Sequence, residues 1–343
     1  MTGENGWHSW SPCLSAPDMT DTAPLASIAT DLSGGRTSGL RFLDGDGTLA
    51  IVLDVTGLAD DERKPLEEKL RAGLLARPGV TSVRVAMTAE RRGLTIVAVG
   101  SGKGGVGKST LAANLAVALQ RRGVKVGLVD ADIYGPSQTR LLDSEGVKPE
   151  SRGSKLVPVP NAYGVPMLST GQIAAPGQAI AWRGPMAGKA LEQLIDASWG
   201  DIDTLIVDLP PGTGDVQLTM IQKHKPAGAV IISTPQDLAL MDATRAIGFF
   251  EQADVPLIGL VENMAGYACP HCGEVSDPFG SGGAEAAAKV MGLDFLGRVP
   301  LSMGIRLASD GGVPPAAGTD PQGEPFHAIA AKVAEWLDAR KGK

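Results

Sequence analysis

One short run of residues restricts the fold of this chain more than any other feature. The run SGKGGVGKST at 101–110 satisfies the pattern G-x-x-x-x-G-K-[ST] and directly follows the apolar stretch LTIVAVG. Glycines at these spacings let the backbone curl so that successive N–H groups face one anion at the start of a helix. The run therefore predicts a strand, a phosphate-binding loop and a helix in succession. A glycine-rich turn without a ligand is the alternative.

The residue types of this loop have chemical reasons. Lys108 is expected to neutralise the β- and γ-phosphates of ATP, and the Ser109 hydroxyl can ligate Mg²⁺. We expect the whole loop to bind the nucleotide. Its members are Gly102, Lys103, Gly104, Gly105, Val106, Gly107, Lys108, Ser109 and Thr110.

A second lysine, Lys103, lies near the start of the loop and places another cation close to the same phosphates. The run GKGGVGKST resembles the deviant Walker A loop of the family that includes MinD, ParA, the nitrogenase iron protein and the Mrp/ApbC proteins. The resemblance implies that Lys103 reaches the partner's phosphates across a nucleotide-sandwich dimer. The alternative is a solvated loop lysine.

Carboxylates follow two apolar stretches, where strands of an open α/β sheet end and ligands bind. VKVGLVDAD ends in Asp130 and Asp132, and TLIVDLPPGTGD contains Asp208. Asp208 fits a Walker B aspartate that holds Mg²⁺ through water, and we favour Asp132 for orienting the attacking water. One of the first two aspartates is expected to be a helix cap or turn residue. The loop 210–215 is a candidate switch that senses the γ-phosphate. The predicted catalytic residues are Lys103, Lys108, Asp132 and Asp208.

From Leu94 onward, short apolar runs rich in β-branched residues alternate with helical segments. Such runs are typical of strands covered on both faces, so we predict an α/β P-loop NTPase fold with a doubly wound, mostly parallel sheet. The predicted domain covers 93–343. Residues 46–92 are expected to form a small N-terminal α+β domain, and residues 1–45 a disordered leader.

The chain has three cysteines, Cys13, Cys269 and Cys272. The last two form a C-x-x-C pair in YACPHCGE, which presents two thiolates from one tight turn. Such a pair is half of a four-thiolate site. Either the site is incomplete, or a two-fold dimer brings two pairs together. The chemistry of the pair leaves iron–sulfur, zinc and a redox role open.

Over roughly residues 94–340, four motifs resemble in order those of the Mrp/ApbC iron–sulfur cluster carrier ATPases. The resemblance implies a homodimer that holds a labile 4Fe–4S cluster between paired Cys269 and Cys272, with apoproteins as recipients and cluster scaffold proteins as further partners. It also suggests that Asn263 reads the adenine, the alternative being a turn amide that bonds its own backbone. Residues 46–92 resemble a degenerate form of the family's N-terminal domain, but they lack its cysteine. The motifs are GSGKGGVGKST, DADIYGPS, VDLPPGTGD, and VENM followed by CPHCG.

Bulk properties exclude several classes. The formal net charge of −7 disfavours nucleic-acid binding, and no apolar run approaches the ~20 residues that cross a bilayer. The N-terminus lacks the pattern of a secretory signal, so we expect a cytoplasmic protein.

The alternative functions are those of a MinD/ParA-like positioning ATPase and of a zinc-binding NTPase metallochaperone. A membrane helix would be needed for the first. The apolar stripe of the C-terminal segment is expected instead to pack in the core. It comprises Phe326, Ile329, Val333, Trp336 and Leu337.

Overall fold

The computed structural model describes residues 22–43, 46–56, 58, 60–88, 93–173 and 185–341. Cys13, and Arg183 of the WRGPM segment, lie outside the described residues. The chain divides into two compact units between Arg92 and Gly93.

The smaller unit is a three-stranded sheet with two helices. Its strands lie in the order β1-β2-β3, with β1 antiparallel and β3 parallel to β2. Residues 23–42 form a helix and a strand, so the expectation of a disordered leader is wrong for them. The reason is a short amphipathic pattern: Ala29 is buried, and Leu25 and Leu32 pack on the same core. The elements are α1 Ala23–Ser33, β1 Thr37–Phe42, β2 Thr48–Asp54, α2 Asp60–Leu75 and β3 Ser82–Thr88.

The larger unit is built on a sheet in the order β12-β11-β10-β4-β9-β5-β8, with β13 beside β11. All of these strands pair in parallel except β12, which pairs antiparallel with the far end of β11. The predicted doubly wound, mostly parallel sheet is therefore confirmed. The strands are β4 Thr95–Gly100, β5 Val126–Asp130, β6 Glu150–Arg152, β7 Lys155–Val157, β8 Met167–Ser169, β9 Thr204–Asp208, β10 Gly228–Ser233, β11 Leu257–Ala268, β12 Val275–Ser276 and β13 Phe295–Leu301.

Helices cover both faces of this sheet. Alternate residues of β4 show the division, because Val97 and Val99 face one core while Ile96 and Ala98 face the other. Both faces are apolar, which explains why the strands do not alternate with polar residues. The helices are α3 Lys108–Arg121, α4 Gln138–Leu141, α5 Thr170–Ile173, α6 Pro185–Ile195, α7 Asp215–Thr219, α8 Asp237–Gln252, α9 Gly283–Met291, α10 Met303–Asp310 and α11 Glu324–Lys341, with a π-helix at Met220–His224 and 3₁₀ turns at Pro315–Ala317 and Pro321–Gly323.

Helix α11 places its apolar stripe in the core next to α3. Phe326, Ile329, Val333 and Leu337 are at most 2% exposed, and Trp336 packs against the same cluster. The predicted core packing of this segment is confirmed. Within the described ranges, every helix is too short or too polar to cross a membrane.

Candidate nucleotide and metal site

The phosphate loop joins the carboxyl end of β4 to the first turn of α3. Gly105 and Gly107 have φ of +78° and +86°, a region that favours glycine. A Cβ on Gly102 would lie 2.1 Å from the carbonyl of Asp242 in α8, so no side chain fits there. The loop borders an open cavity of about 230 Å³. Its lining residues are Ser101, Lys103, Gly104, Gly105, Gly107, Lys108, Ser109, Thr110, Asp132 and Pro211.

Lys108 is the buried cation of this cavity. Its side chain is 7% exposed, and its Nζ lies 2.5 Å from Oδ1 of Asp208 and 3.8 Å from Oδ2 of Asp132. The lysine therefore pairs with the aspartate at the end of β9. Asp208 is fully buried, so this ion pair is shielded from water.

The two aspartates at and just after the end of β5, Asp130 and Asp132, make different contacts. Asp130 is fully buried and accepts hydrogen bonds from the backbone N–H groups of Asp132, Ser137 and Gln138 and from the Ser169 hydroxyl. It therefore orders the loop 131–138. Burial, and next the negative charge of Asp208, raise the pKa of Asp130 to about 7.

Asp132 lies at the cavity, as the sequence reasoning prefers. Its Oδ1 accepts hydrogen bonds from the N–H groups of Tyr134 and Gly135, which fix the orientation of the carboxylate. Lys108 is the group that approaches Oδ2 within the part of the chain described here, at 3.8 Å. The carboxylate of Asp132 is therefore held in one orientation at the edge of the cavity.

Ser109 and Asp208 are suited to Mg²⁺. A hydroxyl and a carboxylate are the hard oxygen donors that this cation prefers. Ser109 lines the phosphate cavity, and Asp208 is buried next to it, where it accepts a hydrogen bond from Lys108. Gln138, which the sequence reasoning missed, joins them. Its amide Nε2 donates to the backbone oxygen of Ser109 at 2.9 Å and to Oδ2 of Asp208 at 2.8 Å.

Asn263 contacts the loop from β11. Its Nδ2 donates to the backbone oxygen of Val106 at 2.7 Å. The same amide nitrogen would lie 2.1 Å from a Cβ on Gly107, so the loop packs closely against it. The turn amide considered as an alternative is not what the structure shows, because the partner lies in the phosphate loop.

Lys103 borders the same cavity and is partly exposed. The ion pairs found among the described residues do not include it. Its placement is that of a cation available to a phosphate or to a second chain.

Cys269 and Cys272 lie on a hairpin at the far end of β11. Tyr267 pairs with Ser276, and the N–H of Cys269 donates to the Glu274 oxygen at 2.9 Å. Backbone N–H groups of Cys272 and His271 lower the pKa of the Cys269 thiol. This favours the thiolate, which is the metal-binding form. The described residues provide no cluster of three or more His, Cys, Asp or Glu side chains arranged for a metal. Within that part of the chain, the pair supplies two thiol groups.

Glu262, also missed by the sequence reasoning, anchors the segment that follows the hairpin. Its buried carboxylate accepts hydrogen bonds from the N–H groups of Gly282 at 3.0 Å and Ala284 at 2.7 Å, and from Arg298 Nε at 3.0 Å. The cysteine hairpin is therefore held to β11 on both sides. A charged residue that directly follows the apolar run VPLIGLV is the signal that could have revealed it.

A glycine loop on a helix N-terminus, a buried lysine and strand-end carboxylates at the edge of a parallel sheet define a P-loop NTPase. A protein-family model described as ParA, the NUBPL iron-transfer P-loop NTPase, matches residues 94–334. The chain belongs to this family.

Named relatives agree with this assignment. An "iron-sulfur cluster carrier protein" of Pseudomonas fragi is 50% identical over 64% of this chain and 78% of its own length. One of the same name from Deinococcus radiodurans is 42% identical over 79% and 80%. A solved structure of a nucleotide-binding protein from Archaeoglobus fulgidus, which contains ADP and cobalt, is 37% identical in sequence. It superimposes with a TM-score of 0.59 over 68% of this chain and 91% of that one.

Proposed function

We propose that the protein binds and hydrolyses ATP with Mg²⁺ and carries a 4Fe–4S cluster for transfer to apoproteins. The observation that carries this proposal is the path of β11. Asn263 on this strand contacts the phosphate loop, and Cys269 follows six positions later on the same strand and hairpin. The cargo ligands are thus directly continuous with a residue that touches the nucleotide loop. The names of the iron–sulfur carrier relatives support the same cargo.

ATP binding would exchange the partners of Lys108. Its Nζ would leave Asp208 for the β- and γ-phosphates, and Asp208 would then be free to help Ser109 hold the cation. Bound Mg²⁺ supplies charge neutralisation at the phosphates. Asp132 Oδ2 would hold the attacking water, and Asn263 would read the adenine. Because a buried ion pair must open before each turnover, we expect slow, switch-like hydrolysis, with loop 210–215 as the sensing segment.

Lys108→Ala tests the nucleotide assignment. The change removes the principal counter-charge for the phosphates, so binding of ATP and its hydrolysis should both be lost. Isothermal titration and phosphate release would measure the two quantities. Turnover equal to that of the unaltered protein would contradict the assignment.

We further propose that the working form is a homodimer in which Lys103 acts on the partner's nucleotide. Lys103→Ala should spare most of the ATP affinity but reduce hydrolysis. Mixing this variant with Asp132→Ala would place one intact set of residues in each mixed dimer if the lysine acts in trans. Activity in the mixture no greater than the sum of the two variants would argue against the cross-dimer role.

The cluster is proposed to lie between the Cys269 and Cys272 pairs of two chains, because a cubane needs four thiolates and each pair supplies two. Anaerobic reconstitution with iron and sulfide should give about four irons per dimer. Cys269→Ala or Cys272→Ala should abolish cluster binding and leave ATP binding intact, and Cys13→Ala is the matched control. Stoichiometric zinc in protein purified without oxygen, with no iron uptake, would favour the zinc metallochaperone.

A positioning ATPase is less well supported by the structure. The apolar stripe that a MinD-like membrane helix would need is buried under α3. The net charge of −7 also disfavours ParA-like DNA binding. We propose a cytoplasmic protein that binds neither membrane nor nucleic acid, with scaffold proteins as a possible source of the cluster.

A further inference from the structure

The amide of Gln138 joins three separate parts of the phosphate site. The residue begins α4, at the end of the loop that Asp130 orders, and it is fully buried. Its Nε2 donates to the Ser109 backbone oxygen and to Asp208 Oδ2. Both partners can only accept, so the nitrogen must face them and the orientation of the amide is fixed by chemistry.

The other atom of this amide has no partner. Oε1 of Gln138 is buried, and the described residues place no hydrogen-bond donor on it. An unpaired buried carbonyl oxygen is costly, so such an atom calls for a donor that a ligand supplies. The amide contacts Ser109 and Asp208, the two residues suited to hold Mg²⁺, so that donor should belong to the occupied site. Phosphate oxygens have no proton to donate at neutral pH, whereas water bound to Mg²⁺ does, and Mg²⁺ keeps several of its waters in proteins.

We propose that Gln138 is a positioning residue for magnesium. Its Oε1 accepts a hydrogen bond from a Mg²⁺-bound water, while its Nε2 holds the Asp208 carboxylate in place. This rests on the proposed nucleotide-binding function and extends it to a residue outside the phosphate-loop motif. A purely structural role would use only Nε2. The two roles therefore differ in whether the effect of Mg²⁺ on nucleotide affinity depends on the acceptor oxygen Oε1.

The test compares nucleotide affinity with and without the cation. Binding of a fluorescent ADP analogue is measured in EDTA and in Mg²⁺, and the ratio of the two affinities is the magnesium coupling. Gln138→Met should lower this coupling about tenfold, the effect of one hydrogen bond to a charged site. The affinity in EDTA should change about twofold or less. Gln172→Met is the matched control, because Gln172 is also a buried amide, yet its unpartnered atom is the donor Nε2. It should leave the coupling unchanged.

Rescue provides the second arm. Gln138→Glu retains an acceptor oxygen, but its second oxygen replaces the donor Nε2 and faces two acceptors, Ser109 O and Asp208 Oδ2. This repulsion should weaken ADP binding in EDTA, and the charge of Mg²⁺ should relieve it. The magnesium coupling of this variant should therefore equal or exceed that of the wild type, whereas a role that uses only Nε2 predicts its loss. This arm also serves if Gln138→Met fails to fold. Coupling that stays within twofold in Gln138→Met, falls equally in Gln172→Met, or is lost in Gln138→Glu would overturn the proposal. No ADP binding by the wild type in either buffer would refute the proposed function itself.

Discussion

Breaking the ion pair between Lys108 and Asp208 should strongly destabilise the nucleotide-free protein. Both side chains are at most 7% exposed, and the Asp130 carboxylate close to them is also fully buried. Lys108→Met keeps the apolar stem but leaves two buried carboxylates without their cation. Removing one partner of a buried pair costs about 3–5 kcal/mol. For a unit of this size, that loss corresponds to a fall in melting temperature on the order of 10 °C.

The same variant should have a distinctive pH dependence. The pKa of Asp130 is raised from 3.8 to about 7 by burial and by Asp208, so the folded state binds more protons than the unfolded state between these values. The stability that this proton binding contributes is fully present below the pKa of Asp130 in the unfolded chain. It is lost as the pH rises through the pKa of Asp130 in the folded protein. Because Lys108 lowers the pKa of Asp130, removing it moves that folded pKa higher. The variant should therefore be closest to the wild type in acid.

Differential scanning fluorimetry in EDTA, without nucleotide, measures both effects. At pH 8 the deficit of Lys108→Met should be large, and at pH 5.5 it should shrink. Lys103→Met is the control, since that lysine is partly exposed and lies in the same loop. A deficit at pH 8 no larger than that of the control, or one that widens in acid, would refute this account of the buried charges.

Three further changes test other parts of the structure. Gly102→Ala should abolish ADP binding because its Cβ would clash with the α8 backbone. Gly104→Ala should bind ADP normally, because its Cβ would make only an ordinary contact with Pro211 at 3.9 Å. Phe326→Ala should cost about 3–5 kcal/mol in a urea melt, and a loss below about 1 kcal/mol would contradict its place in the core. Glu262→Gln should speed hydrogen exchange of the Gly282 and Ala284 amides that it binds, and unchanged protection would argue against the anchor.

Local patterns predicted most of the large unit. The strands that carry the site are apolar runs rich in β-branched residues, and the phosphate-loop motif predicted the helix α3 that follows it. Strand β8 was missed because it has only three residues, 167–169, although it supplies the Ser169 hydroxyl to Asp130. The helix and strand at 23–42 were missed because polar and small residues surround a short amphipathic pattern.

The candidate site was predictable where a motif names its residues. The loop and the strand-end aspartates follow from spacing and topology. Gln138 does not, because its contacts depend on the tertiary approach of α4 to residues that lie 29 and 70 positions away in sequence. No local pattern distinguishes such a glutamine from a solvated helix residue. The division of labour between Asp130 and Asp132 likewise required the observed hydrogen bonds.

The packing of α11 on α3 has a consequence for how the chain is made. Helix α3 carries the phosphate-loop lysine, yet the core on its leucine face is completed by α11, and Asn114 of α3 accepts a hydrogen bond from Ala316, 202 positions later. At ribosomal rates of about 5–20 residues per second, the leucine face of α3 is synthesised roughly 10–40 s before the segment that packs on it. A nascent chain that has not yet reached α11 thus presents an apolar helix beside an unfinished nucleotide loop. Chaperones that recognise exposed leucine should bind the chain at this stage and release it when α11 docks.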